Sequence, residues 1–112
     1  MARPTDLLEF LTYARDNIAP DVTVQRLLVF LHVAQNEGLS QNELAEHLQG
    51  ISTTALSRNL ADLSEINSRK TAGPGLIEQH LDPDNLRKKR IFLTDKGQRF
   101  LRRWQRFLPE HS

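Results

Sequence analysis

Residues 50–59, GISTTALSRN, decide how this chain is read. Gly50 closes one segment, and Ser52 is a good helix N-cap. Ile51 and Leu56 occupy the two positions of a hydrophobic staple, so a helix is expected to start at Ser52. Leu56, Leu60 and Leu63 define its buried face. At about 100° per residue the opposite face carries Thr54, Ser57, Arg58 and Ala61. That face is small and polar, with one cation. Hydroxyls can bond phosphate or base edges, threonine methyls can meet thymine methyls, and an arginine can fork onto guanine. The free amides at the helix start suit an anion. The plainer alternative is a solvated face whose Ser and Thr residues serve only as caps.

Upstream lies LSQNELAEHLQG, residues 39–50. Ser40 and Glu43 form a capping box, and Leu39 and Leu44 form a second staple. A short helix therefore starts at Ser40 and is joined by a tight turn to the next one. Two short helices in this relation, residues 40–63, make a helix-turn-helix candidate. Before them, Val24, Leu27, Leu28, Val29, Phe30, Leu31 and Val33 lie in a helix of about 23–35 that is apolar almost all round and so is expected to be central. Gly38 can take the left-handed position that ends it.

Downstream, residues 76–93 read as a hairpin. Leu76 to Leu81 is the first strand, Asp82-Pro83-Asp84-Asn85 the turn, and Lys89 to Leu93 the return strand. Alternation puts Lys89, Ile91 and Leu93 on one face and Lys88, Arg90 and Phe92 on the other. A helix-turn-helix followed by such a cationic hairpin is a winged helix, mainly α with a small β-hairpin. Charge is arranged to match. Residues 1–50 hold 3 Lys/Arg against 7 Asp/Glu, whereas residues 51–112 hold 12 against 7, so an anionic partner is expected for the second half.

These fragments resemble the MarR family of winged-helix transcriptional regulators over roughly residues 24–104. The resemblance rests on LSQNELAEHLQGISTTALSRNLADLSE followed by GLIEQHLDPDNLRKKRIFLTDKG. It implies a DNA-binding role for Ser52, Thr53, Thr54, Ser57 and Arg58 in the helix-turn-helix and for Arg87, Lys88 and Lys89 in the wing. Gln41, and Arg90 from the charged return strand, are expected to contact DNA as well. Family wings often carry Asp-Arg-Arg where this chain has Asn85-Leu86-Arg87, which removes the acidic brace and predicts a looser wing. The chain reads as a minimal version, because a typical member adds a further long helix after the Trp104–Phe107 region.

The terminal segments are amphipathic. Residues 1–20 open at Pro4, carry Leu7, Leu11, Ala14 and Ile18 at helical spacing, and end before Pro20. Residues 95–112 begin behind a Thr94 cap. The two are expected to form a homodimer interface through Leu8, Phe10 and Leu11 of the first and Phe100, Leu101, Trp104, Phe107 and Leu108 of the second. They carry more apolar surface than a compact reading unit can cover. Packing against the chain's own core is the alternative.

Length fits one winged-helix domain over residues 1–112. No apolar run approaches a membrane span, and a carboxylate interrupts the N-terminus where a secretory signal needs apolar residues. A cytoplasmic, nucleoid-associated protein is expected. Cysteine is absent, which excludes disulfides and thiol chemistry. His32, His47, His80 and His111 show no ligand spacing, and His32 is expected to be a hydrogen-bonded core residue. No enzyme, metal or cofactor is expected, and no residue pattern supports a small-molecule effector. The function expected is a homodimeric, sequence-specific double-stranded DNA-binding regulator, a repressor acting on a palindromic operator. The alternatives are a winged-helix module that binds protein, such as an antirepressor or assembly adaptor, and a DNA-binding replication or packaging factor.

Overall fold

The computed structural model describes residues 2–66 and 69–109; His111 and the end of the last segment lie outside them. Five helices and a two-stranded hairpin follow in the order α1 (Pro4–Asn17), α2 (Val24–Gln35), α3 (Gln41–His47), α4 (Thr53–Leu63), β1 (Ile77–Asp82), β2 (Asn85–Leu93) and α5 (Asp95–Gln105). Local chemistry sets the starts. Thr23, Ser40, Ser52 and Thr94 each accept a hydrogen bond from a backbone N–H in the first turn of the helix they precede, at 2.9–3.2 Å. Ser40 and Glu43 complete the expected capping box.

The core runs through every helix and the base of the hairpin. Phe30, Val29 and Val33 of α2 sit at its centre, with Leu44 of α3 and Leu56, Leu60 and Leu63 of α4 around them. Ile77, Ile91 and Leu93 close it from the hairpin, and Phe100 and Trp104 from α5. α2 is central as expected, but Val24 and Leu28 on its outer side stay exposed.

The hairpin is longer and tighter than its sequence reading. β2 begins at Asn85, four residues early, because Asp82 pairs with Asn85 and confines the turn to Pro83-Asp84. The strands are antiparallel, with Ile77 opposite Leu93 and Leu81 opposite Lys89. The α2–α3 turn adds a third row beside β2. Gly38 N–H donates to Ile91 O (2.8 Å), and Ile91 N–H donates to Leu39 O (3.0 Å). Gly38 holds φ +93°, a region that a side chain rarely enters, and the Phe92 ring lies against it. This pairing fixes the wing to the helix-turn-helix.

The terminal helices correct the dimer expectation in part. Phe10 stacks on Trp104, with ring centroids 4.2 Å apart and planes 11° from parallel. Trp104 Nε1–H donates to Phe10 O at 2.8 Å. Tyr13 lies over Phe100 (5.5 Å) and Phe107 (5.0 Å). Phe100 and Trp104 are therefore core residues of the chain itself, and Phe10, Leu101 and Phe107 pack against that core. The aromatic edge of α1 found its partner within the protomer, because α5 runs alongside it and large rings gain most by burial there. Leu8 and Leu11 remain exposed with Leu7, and Leu108 is half-buried.

Candidate nucleic-acid interface

α4 is oriented by its buried side. Leu56, Leu60 and Leu63 face the core, and Asn59 is buried beside them. Asn59 Nδ2 donates to Ala55 O (2.8 Å) and to Gln25 Oε1 (3.4 Å). Arg26 Nε donates to Asn59 Oδ1 (3.3 Å), and its Nη2 meets Asp62 Oδ2 at 2.6 Å. This polar knot ties α4 to α2 and fixes its rotation. Sequence reasoning missed it. The available signal was an asparagine three residues after Leu56, at the edge of an apolar stripe, where burial demands partners.

The outer face of α4 is open. Ser52, Thr53, Thr54, Ser57 and Arg58 are exposed, and Ala61 is half-buried. Ser52 Oγ accepts the Ala55 N–H as a cap, which leaves its own hydroxyl hydrogen to donate outward. Gln41, half-buried, donates from Nε2 to Thr53 O at 3.4 Å and so joins the start of α3 to the start of α4. Thr53, Thr54, Ser57, Arg58 and Ala61 line one shallow hollow with Gln41, of about 530 Å³. A second, of about 750 Å³, lies between α3, α4 and the wing. Ser40, Gln41, Asn42 and Glu43 form one wall, Ser57 and Ala61 the floor, and Gln79, Asn85, Arg87, Lys88 and Lys89 the other wall. The reading face of α4 and the cationic wing thus border two adjoining hollows that share Gln41, Ser57 and Ala61.

The four wing cations divide into two pairs. Arg87 and Lys89 are exposed, and their side chains make no ion pair or hydrogen bond among the described residues. Lys88 Nζ instead meets Glu43 Oε1 of α3 at 2.7 Å. Arg90 is a brace: Nη2 and Nε reach Asp82 Oδ2 at 2.9 and 3.1 Å, and Nη1 donates to Gly38 O at 2.8 Å. Arg90, expected as a DNA contact, thus also serves the fold, with three of its five N–H donors turned to Asp82 and Gly38. Lys88 likewise gives one of its three N–H donors to Glu43, in a partly exposed pair. Arg87 has no acidic brace among the described residues, as expected, while Asp82, whose turn position gave no hint that it would be buried, braces Arg90 instead.

Electrostatics agree with the geometry. Hydrogen bonds from Lys88 and then from Ser40 pull the Glu43 carboxyl down from 4.5 to about 2. The Asp84 N–H, which donates to Asp82 Oδ1 at 2.8 Å, and the nearby Arg90 charge hold Asp82 below its usual range. Both carboxylates are therefore fixed anions that lock the wing.

His32 departs from the expectation of a hydrogen-bonded core residue. His32 is half-buried, and its Nδ1 has no hydrogen-bond partner among the described residues. His47, distant in sequence, brings its ring to 6.5 Å from that of His32. No group of three or more metal-ligating side chains occurs among the described residues. No described helix is long and apolar enough to cross a membrane.

No protein-family model matches this chain, and no curated protein matches it. Solved structures do. The Staphylococcus aureus MepR–DNA complex aligns over 91% of this chain and 75% of that one, at 22% identity and a TM-score of 0.68. Apo MarR from E. coli aligns over 95% and 69%, at 21% identity and 0.66. Streptococcus pneumoniae FabT in complex with DNA aligns over 90% and 64%, at 19% identity and 0.66. The fold is the MarR-type winged helix. In this MarR-type fold α3 and α4 form the helix-turn-helix, β1 and β2 the wing, and α1 and α5 the flanking helices. The chain spans between 64% and 75% of those three solved chains.

Proposed function

We propose that this chain is a sequence-specific, double-stranded DNA-binding transcriptional regulator that acts as a homodimer on a two-fold symmetric operator and represses by occlusion. The observation that carries this reading is a pair of adjoining hollows that share Gln41, Ser57 and Ala61, one lined by Thr54 and Arg58 of α4 and the other by Arg87 and Lys89 of the wing. A major groove about 12 Å wide admits a helix whose leading face is small and polar. Arg58 and the threonines would read base edges, while Arg87 and Lys89 would hold the adjacent backbone. Two such helices would sit about one helical turn, roughly 34 Å, apart. Two proteins of this fold, MepR and FabT, were solved with DNA, which supports the same use.

The exposed Leu7, Leu8 and Leu11 of α1 are the surface proposed for the second copy. All three lie on the same helix. The test is selection of bound duplexes from a random library. The expected result is an enriched palindrome whose half-sites lie one turn apart, with release as salt rises. Enrichment without symmetry would overturn the dimer, and no salt-dependent retention of any duplex would overturn the reading itself.

A further inference from the structure

The far end of the wing carries apolar side chains with no core beneath them. Leu86 is 71% exposed, Leu81 is 57% exposed, and Pro83 in the turn is exposed as well. Elsewhere in the hairpin the apolar residues Ile77, Ile91 and Leu93 are buried. Leu86 therefore stands out in water just past the turn, between the exposed Asp84 and the exposed Arg87.

That end of the wing is stiffly mounted. Asp82, itself buried, accepts from the Asp84 N–H and holds Arg90, which in turn holds the Gly38 carbonyl. The Arg87 N–H donates to Asn85 Oδ1 at 3.1 Å, which shapes the chain on both sides of Leu86. An apolar residue on a preorganised tip, flanked by free cations, matches the general device by which proteins part stacked bases. Cations hold the phosphates while an aliphatic side chain enters between two base pairs from the minor groove. The width of that groove, about 6 Å, suits a two-residue turn and excludes a helix.

We propose that Leu86 is a wedge that enters the minor groove beside the α4 site and partly unstacks one base step in each half-site. This rests on the DNA-binding reading above and adds to it a second source of specificity. Unstacking costs least at pyrimidine–purine steps, so the wing would select deformable DNA at positions where no base edge is read. Burial of the leucine would offset the loss of stacking. Arg87 and Lys89 would supply affinity without that preference.

The test uses the full chain and duplexes selected by it from a random library, with 2-aminopurine placed singly along each flank. Wild-type protein is expected to raise the fluorescence several-fold at one flanking step per half-site. A TA step there is expected to bind about tenfold tighter than an AA step. Leu86→Ala should abolish the rise and the step preference while leaving the melting temperature unchanged, because the side chain touches no core. Leu86→Met should retain both. Wild-type binding with no rise at any flank, or an equal rise with Leu86→Ala, would overturn the wedge and leave the regulator reading intact. Failure of the wild type to bind any duplex would overturn both.

Discussion

Residues 87–106 hold nine Lys/Arg, and in sequence they look like one basic run. In the structure they are two different surfaces. In the wing, Lys88 and Arg90 are tied to Glu43 and Asp82, whereas Arg87 and Lys89 have no ion-pair partner among the described residues. Lys96, Arg99, Arg102 and Arg103 of α5 and Arg106 at its C-cap make no ion pair among the described residues, while the other side of the same helix buries Phe100 and Trp104. The wing spends part of its charge internally to hold a shape. α5 needs none of its charge for shape, because apolar packing already fixes it. Charge counted along a chain therefore overstates what a wing can offer to phosphate.

The largest effect expected is on the apolar side of α5. Trp104→Ala should cost about 3–5 kcal/mol in a denaturant melt, since it leaves a cavity against Phe30 and Phe10 and frees the Phe10 carbonyl. A cost near zero would mean that shape on α5 comes from something other than packing.

Arg58→Ala comes next. It should remove about 1–3 kcal/mol of discrimination at one base pair per half-site, read by competition between duplexes that differ there. Uniform weakening across all sequences would reassign Arg58 to the backbone.

The comparison is sharpest within the wing itself. Lys89→Ala should lower the slope of log affinity against log salt by about one, the signature of one lost phosphate contact. Lys88→Ala should change that slope less, because its ammonium is held by Glu43. Equal slopes for the two would break the division between free and tied cations.

Acid provides a further probe. The Glu43 carboxyl is depressed from 4.5 to about 2 in the folded chain. Its contribution is present above pH 4.5 and lost as pH falls from there through about 2. Stability measured down that range should fall, and Glu43→Gln should flatten that part of the profile. An unchanged profile would show that the Lys88 contact does not hold Glu43 in solution. The smallest effect is expected on the outer face of α5: Arg102→Ala and Arg106→Ala should each stay within about 0.5 kcal/mol of wild type.

Much of this molecule was legible locally. The Ser40–Glu43 box, the Ser52 and Thr94 caps, the Leu56/Leu60/Leu63 stripe and the Pro83 turn are short-range patterns; the helices formed where they placed them, whereas β2 began four residues earlier than read. The exposed Thr54/Ser57/Arg58 face followed from the same periodicity. The partners of Asn59, Arg90 and Trp104 did not, because each lies on an element distant in the chain.

The sequence by itself determined the helices, the hairpin and which face of α4 stays polar, since capping and periodicity act over a few residues. Only the tertiary structure decided which wing cations are free, which aromatic rings close the core, and how the wing is braced. Those outcomes depend on how far α1 lies from α5, α3 from β2, and Asp82 from Arg90. Distances of that kind are set when separate elements pack, and no local pattern encodes them.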